Sequence, residues 1–373
     1  MSFSIGIVGL PNVGKSTLFT ALTKKQVDCQ NYPFCTIEPN VGVVAVPDER
    51  LEKLTKLYNS AKVVATTIEF VDIAGLVKGA SEGEGLGNKF LARIREVDAI
   101  VEVVRDFAND DIVHVAGKID PDSDIKTVNL ELILADLETV SKRLSNLEKQ
   151  AKGAAAKELL KNIEVLKELK NILEQEKFAN QLAVASPRLP GGKAGGTAGK
   201  EDEHFIKELN LLTAKPIMYV YNVDENELNK ACPESGRREP GEQLRICAKL
   251  EAELASLSDE EIKEYLAAAG INQTGLDRLI VESYKLLNLI TFFTAGPKES
   301  HAWTITKGTL APQAAGAIHT DFEKGFVRAE ITNWRDLVEA GGETKAKEKG
   351  LVKTEGKDYV MKDGDVAYFL FNK

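Results

Sequence analysis

Phe3-Ser4-Ile5-Gly6-Ile7-Val8-Gly9-Leu10-Pro11-Asn12-Val13-Gly14-Lys15-Ser16-Thr17 runs from a short Ile/Val-rich segment, through a turn bounded by glycines, into a helix-like stretch over 15–24. The apolar segment predicts a buried parallel strand. A strand, a GxxxxGK[ST] turn and a helix in that order form a phosphate cradle. The glycines let the backbone wrap closely, and successive N–H groups point inward at an anion. The helix adds the positive end of its dipole. Lys15 is placed to reach the β- and γ-phosphates, the Ser16 hydroxyl to hold Mg²⁺, and Thr17 to sit near the α-phosphate. Val13 and Gly14 belong to the same turn. Strand–turn–helix is also the entry to a doubly wound α/β domain.

Further strands are expected at 41–46, 67–72, 99–105 and 215–222. A helix over 48–59 is capped by Asp48, and a helical stretch over 202–211 precedes the strand at 215–222. Val71-Asp72-Ile73-Ala74-Gly75 closes an apolar strand with an acid and a glycine. After a phosphate loop this pattern places Asp72 on the Mg²⁺ side, through a water, and offers the Gly75 N–H to the γ-phosphate. Thr36, in the loop before 41–46, is the candidate to close its hydroxyl on Mg²⁺ once the γ-phosphate is bound. Five glycines between Gly75 and Gly87 predict a loop that moves when the phosphate leaves. Asn222-Val223-Asp224-Glu225 stands where a nucleotide domain puts its base-reading loop. A guanine reader has NKxD there; here Val223 replaces Lys and Glu225 replaces Asp. The extra methylene weakens the paired carboxylate contact to guanine. Adenine presents a donor beside an acceptor, which Asn and backbone groups can satisfy. ATP is therefore the expected substrate, with a GTP-preferring switch as the alternative. Cys247-Ala248-Lys249 resembles the loop that lies beside the base.

Hydrolysis needs a group that orients water. Leu76 takes the place where many such enzymes have Gln, so slow turnover is expected, and a chain that binds nucleotide only structurally stands as a competing reading. His114 is the nearest suitable residue by type; its other reading is a solvated surface side chain. Asn12 can ligate a monovalent cation such as K⁺ against the phosphates, or simply stabilise the turn.

The chain has 373 residues, 43% hydrophobic and 28% charged, with net charge -9. That length suits two or three domains. The acidic balance argues against coating nucleic acid through a bulk positive field, and no specific DNA contact is expected. No 18-residue apolar run is present, so no membrane partner is expected. The first residues lack a basic segment, which predicts no signal peptide and a cytoplasmic location. Cys29, Cys35, Cys232 and Cys247 show no CxxC spacing and read as reduced thiols. Between the strands, Leu130, Ile133, Leu137, Val140, Leu144 and Leu147, then Leu159, Ile163, Leu166, Leu169 and Leu173, recur at spacings of three and four. Two amphipathic helices folded back on each other fit, with Lys152-Gly153-Ala154 between them. Lys142, Arg143, Lys149, Lys152, Lys157 and Lys161 could meet phosphates, or form a solvated face shared with Glu148 and Glu158. The stretch 186–200 is Gly-rich and loop-like. After Leu289, strands at 303–306, 325–331 and 366–371 with a helix at 312–318 predict a small α+β domain of one or two helices.

Together these strings resemble one family: 9–17, Asn31-Tyr32-Pro33-Phe34-Cys35-Thr36-Ile37-Glu38-Pro39-Asn40, 72–75, Gly79-Ala80-Ser81, Gly85-Leu86-Gly87-Asn88, 222–225, Ala302-Trp303-Thr304 and His319-Thr320-Asp321-Phe322-Glu323-Lys324-Gly325-Phe326 are similar to YchF, the Obg-like ATPases. The resemblance covers essentially the whole chain. It implies an α/β Obg-type P-loop NTPase G domain, an inserted antiparallel coiled-coil hairpin, and a C-terminal TGS domain of α+β β-grasp fold. The boundaries expected are 1–285, with the arm at about 125–205, and 288–371. It also implies ATP preferred over GTP, Mg²⁺ at Ser16 and Thr36, a catalytic role for His114, and ribosomes, the large subunit in particular, as partner. The chain departs from the family pattern in the loop 186–200 and at Asp106.

Overall fold

The computed structural model describes residues 3–26, 40–73, 86–109, 119–151, 157–182, 204–228 and 243–372, without the side chains of 86–89 and 259. The chain forms two compact units that interleave in sequence. One holds Phe3–Thr20 and Phe70–Ala252, the other Ala21–Glu69 and Glu253–Lys373.

The first unit is built on strands β1 (Ser4–Val8), β5 (Ala99–Asp106), β6 (Ile217–Val223) and β7 (Gln243–Ile246), adjacent in that order and parallel. The end of β4 (Thr67–Asp72) lies on the other side of β1, where the Ile73 N–H donates to the Ile7 carbonyl. Apolar runs on these strands are buried throughout, as a sheet covered on both faces requires. The register sets Arg105 beside Asn222 and Asn222 beside Ile246. The carboxyl ends of neighbouring strands therefore form one row, where open α/β sheets place their ligands. Helices α1 (Lys15–Lys24) and α3 (Leu86–Glu96) follow β1 and β4 in the chain.

Helices α4 (Pro121–Gln150) and α5 (Lys157–Glu174) share an apolar seam of Ile133, Val140, Leu144 and Leu147 with Ile163, Leu166, Leu169 and Leu173. The same cluster takes in Ala179, Leu182, Phe205 and Leu211, so a further layer joins the hairpin. Leu130, assigned to the seam from its spacing, is 41% exposed. The first turns of α4 bury Ile125, Val128 and Leu132 instead, and the stripe shifts register between the two halves of this 30-residue helix. Asp120 caps α4, and Asp136, fully buried, accepts from the Leu212 and Thr213 amides and the Thr213 hydroxyl. The tip 152–154 and the loop 186–200 lie outside the described residues.

In the second unit the strands β3 (Lys62–Val64), β8 (Leu289–Ala295), β9 (Glu299–Thr306), β10 (Phe326–Asn333), β11 (Lys353–Glu355) and β12 (Asp365–Phe371) form a mixed sheet in the order β11-β10-β12-β8-β9-β3. Four short helices accompany it, at Ala311–Ile318, Thr320–Lys324, Trp334–Ala340 and Glu343–Glu348, where one or two were expected. The first of the extra pair, Trp334–Ala340, is capped by Asn333 and stopped by left-handed Gly341, while Glu343–Glu348 starts after Gly342 with no side-chain cap; such signals are too local to read as separate helices before the fold is seen. Helix α2 (Glu49–Tyr58) has the expected Asp48 cap and buries Leu51 and Leu54 against Phe293, Leu337 and Ala346. Its Arg50 bridges Asp48 and Asp363 and lies over the Phe293 ring.

Candidate functional site

The turn after β1 is shaped by two glycines with positive φ. Gly9 stands at +145° and Gly14 at +101°. A Cβ on Gly9 would run into the Val103 carbonyl, and one on Gly14 into the Asn222 amide. The backbone is thus pressed against β5 on one side and the end of β6 on the other, and only glycine fits. Asn12 sits between them in the left-handed region at 64°, which Asn tolerates better than most side chains. Val13 is buried and anchors the turn from below.

Helix α1 begins at Lys15 with no acidic residue in its first turn, leaving the N–H groups of that turn to face an anion. Lys15 is 7% exposed, and its ammonium donates to the Leu10 carbonyl at 2.7 Å. Burial lowers its pKa to about 8, and the Asp72 carboxylate pulls it partly back. Asp72, ending β4, is raised by the same burial and drawn down by Lys15. A buried cation looped over a carbonyl, beside a half-buried carboxylate, is an arrangement whose charge is balanced when a polyphosphate enters. The Ser16 and Thr17 side chains are exposed.

Asn222 joins this turn to the base side. Its Nδ2 donates to the Val13 carbonyl at 3.0 Å, and its Oδ1 accepts from the Ala248 N–H at 2.9 Å. It is 7% exposed. The Asn foreseen as a base reader thus also acts as a strut between the phosphate turn and the 247–249 loop. Val223 is buried. Glu225 is exposed and opens the short turn Glu225–Glu227. Burial raises the Cys247 thiol, and Glu225 and Asp224 add to the rise, so these two acids lie close to that loop. Thr36, Gly75, Leu76 and His114 lie outside the described residues.

The donors that fit a magnesium ion are hard oxygens: the open Ser16 hydroxyl at the helix start and the Asp72 carboxylate beside Lys15. Among the described residues no group of three His, Cys, Asp or Glu could hold a metal alone. A metal here must take the rest of its ligands from phosphates and water, which is how Mg²⁺ is commonly bound.

Two residues that the motifs did not single out complete the row of strand ends. Arg105, 2% exposed, donates to the Phe107 and Asn109 carbonyls and lies 4.6 Å from the Phe107 ring centre. Arg245, 7% exposed, pairs with Asp106 at 3.2 Å. The signal that could have found them is a lone cation near the end of an apolar strand, which needs buried partners.

Comparison with known proteins adds family membership to this geometry. A family described as "50S ribosome-binding GTPase" matches residues 4–154, and YchF-GTPase_C, described as "Protein of unknown function (DUF933)", matches residues 289–372. The ribosome-binding ATPase YchF of Bacillus subtilis is 52% identical over 380 residues, covering 100% of both chains. That of Escherichia coli O157:H7 is 48% identical over 377 residues, with the same coverage. The solved YchF GTPase of Schizosaccharomyces pombe has a TM-score of 0.82 at 38% identity, over 99% of this chain and 98% of that one.

Proposed function

The chain belongs to the YchF family, and from that premise we propose that it is a ribosome-associated regulatory ATPase whose nucleotide state switches its hold on the large subunit. The observation that carries this reading is the Asn222 strut, which makes the phosphate turn and the base loop one rigid site. The backbone amides of 13–17 and Lys15 bind the triphosphate. The Leu10 carbonyl gives up the Lys15 ammonium as the γ-phosphate arrives. Ser16, Asp72 and Thr36 would hold a Mg²⁺ ion, which would supply charge neutralisation on the triphosphate. Gly75 senses the γ-phosphate. Asn12 can add a monovalent cation, K⁺, on the phosphate side.

Adenine is the base favoured. Glu225 in place of a guanine-reading Asp removes the geometry that a paired guanine contact needs, and both ends of the Asn222 amide already hold the loops together. Backbone groups around Val223 are left to read the donor–acceptor edge of adenine. With Leu76 in the water-orienting position, turnover by the chain alone is slow, and His114 positions the water. A cytoplasmic location follows from the ribosomal partner; among the described residues no helix is long and apolar enough to cross a membrane.

The test is a titration of the full chain with Mg-ATP and Mg-GTP, in K⁺ and in Na⁺ buffer, with and without ribosomes, followed by phosphate release. ATP is expected to bind at least tenfold more tightly and to be released as ADP faster with ribosomes present. Equal or tighter GTP binding sinks the adenine reading. Ribosomes that neither bind nor respond to nucleotide sink the switch. His114→Ala is expected to slow single-turnover hydrolysis about 100-fold or more while nucleotide affinity holds; unchanged turnover removes His114 from the mechanism.

A further inference from the structure

The structure shows what the acid at the end of β5, Asp106, touches. Asp106 ends β5, and its Oδ2 lies 3.2 Å from Nη2 of Arg245, which comes from β7 across the intervening β6. The other arm of the same guanidinium, Nη1, donates to the Glu227 carbonyl at 3.3 Å and stands 3.9 Å from the Glu227 carboxylate. Glu227 is the last residue of the turn Glu225–Glu227, and its own N–H donates to the Asp224 carbonyl. Two residues beyond the end of β5, the Ala108 N–H reaches the Asp224 carboxylate at 3.4 Å.

The base loop is thus held at both ends. Asn222 fixes the near end to the phosphate turn, as described above. Arg245 fixes the far end to the carboxyl terminus of β5. Glu225 lies between the two and is exposed. The guanidinium is a rigid planar fork, so its two arms set the distance between Asp106 and Glu227 rather than merely attracting both. Its side chain is 8% exposed, so removing either partner leaves a buried charge poorly compensated.

We propose that Arg245, braced by Asp106, is a positioning residue for base recognition: it fixes the turn that carries Glu225 and so sets how well the site separates ATP from GTP. This rests on the reading that 222–225 is the base loop, and it goes beyond that reading by placing a specificity determinant outside the loop.

The experiment compares binding of Mg-ATP, Mg-GTP and magnesium with inorganic triphosphate, which has no base, to wild type, Arg245→Met, Arg245→Lys, Asp106→Asn and the double variant Arg245→Met with Asp106→Asn. The Met variant is expected to weaken ATP about tenfold, to move the ATP:GTP ratio toward one, and to leave inorganic triphosphate within twofold. KM for ATP should rise while kcat holds. Arg245→Lys keeps one partner at a time and should fall between Met and wild type. Asp106→Asn should add nothing further in the Arg245→Met background, since both changes break one link. If ATP and inorganic triphosphate weaken together, Arg245 is merely structural and the proposal fails. If wild type favours ATP over triphosphate and GTP but the variants keep that preference, the proposal alone fails. If wild type binds triphosphate as tightly as ATP, the base-loop reading itself is wrong and the proposal goes with it.

Discussion

Lys15 carries the clearest prediction at the scale of a residue. Its ammonium is held at a carbonyl in a buried place, and burial lowers its pKa from the ordinary 10.5 to about 8. Below pH 8 both the folded and unfolded chains carry this proton, and the folded state bears the cost of desolvating it. Between pH 8 and 10.5 the unfolded chain still binds the proton while the folded chain releases it, so stability rises with pH across that window. Lys15→Met removes the cost. The nucleotide-free variant should be more stable than wild type by on the order of 2 kcal/mol at pH 7, with the difference shrinking from pH 8 upward, as urea melts at several pH values would show. The same variant should lose at least 100-fold in Mg-ATP affinity. A nucleotide-free variant no more stable than wild type would mean that the Leu10 carbonyl and Asp72 already compensate the buried charge.

At the scale of an element, the α4–α5 hairpin shows how far periodicity can be trusted. Spacings of three and four placed both helices and nearly all of the seam, because a helix brings such residues onto one face whatever surrounds it. They could not show that α4 changes the face it buries part-way along, which left Leu130 exposed while Ile125, Val128 and Leu132 went inward. That change reflects two neighbours: the sheet over the first turns, and α5 over the later ones. Leu166, fully buried in the shared cluster, tests the independence of the seam. Leu166→Ala should cost about 2–5 kcal/mol, seen as faster hydrogen exchange in α4 and α5, while Mg-ATP affinity changes by less than twofold. A matching loss of ATP affinity would show that the hairpin and the phosphate turn are energetically one body. The short helices after β10 were missed for the opposite reason: six or seven residues give too little periodicity to count.

For the whole molecule, the division into two units makes its own prediction. All of the described phosphate and base residues except the later turns of α1 fall in the unit of 3–20 and 70–252. Mg-ATP at a hundred times its Kd stabilises whatever it binds by about 2.7 kcal/mol. Hydrogen exchange should therefore slow by up to about 100-fold at the phosphate turn, β5 and β6, and change less in β8, β10 and β12. Equal slowing across both would show one cooperative body instead. Local sequence is enough for the strand–turn–helix with Lys15, the Asp72 strand end, the Asn222 loop, the hairpin and a trailing α+β region. Each of these is written in neighbouring residues, where chain geometry alone forces the outcome. Tertiary structure decided the rest. It brought Asn222 to Val13 across 209 positions and Arg245 to Asp106 across 139. It also laid α2 and β3 against a sheet that begins more than two hundred residues later. Strand register and burial of a charge or an amide depend on partners distant in the chain, and no local pattern encodes which partner that is.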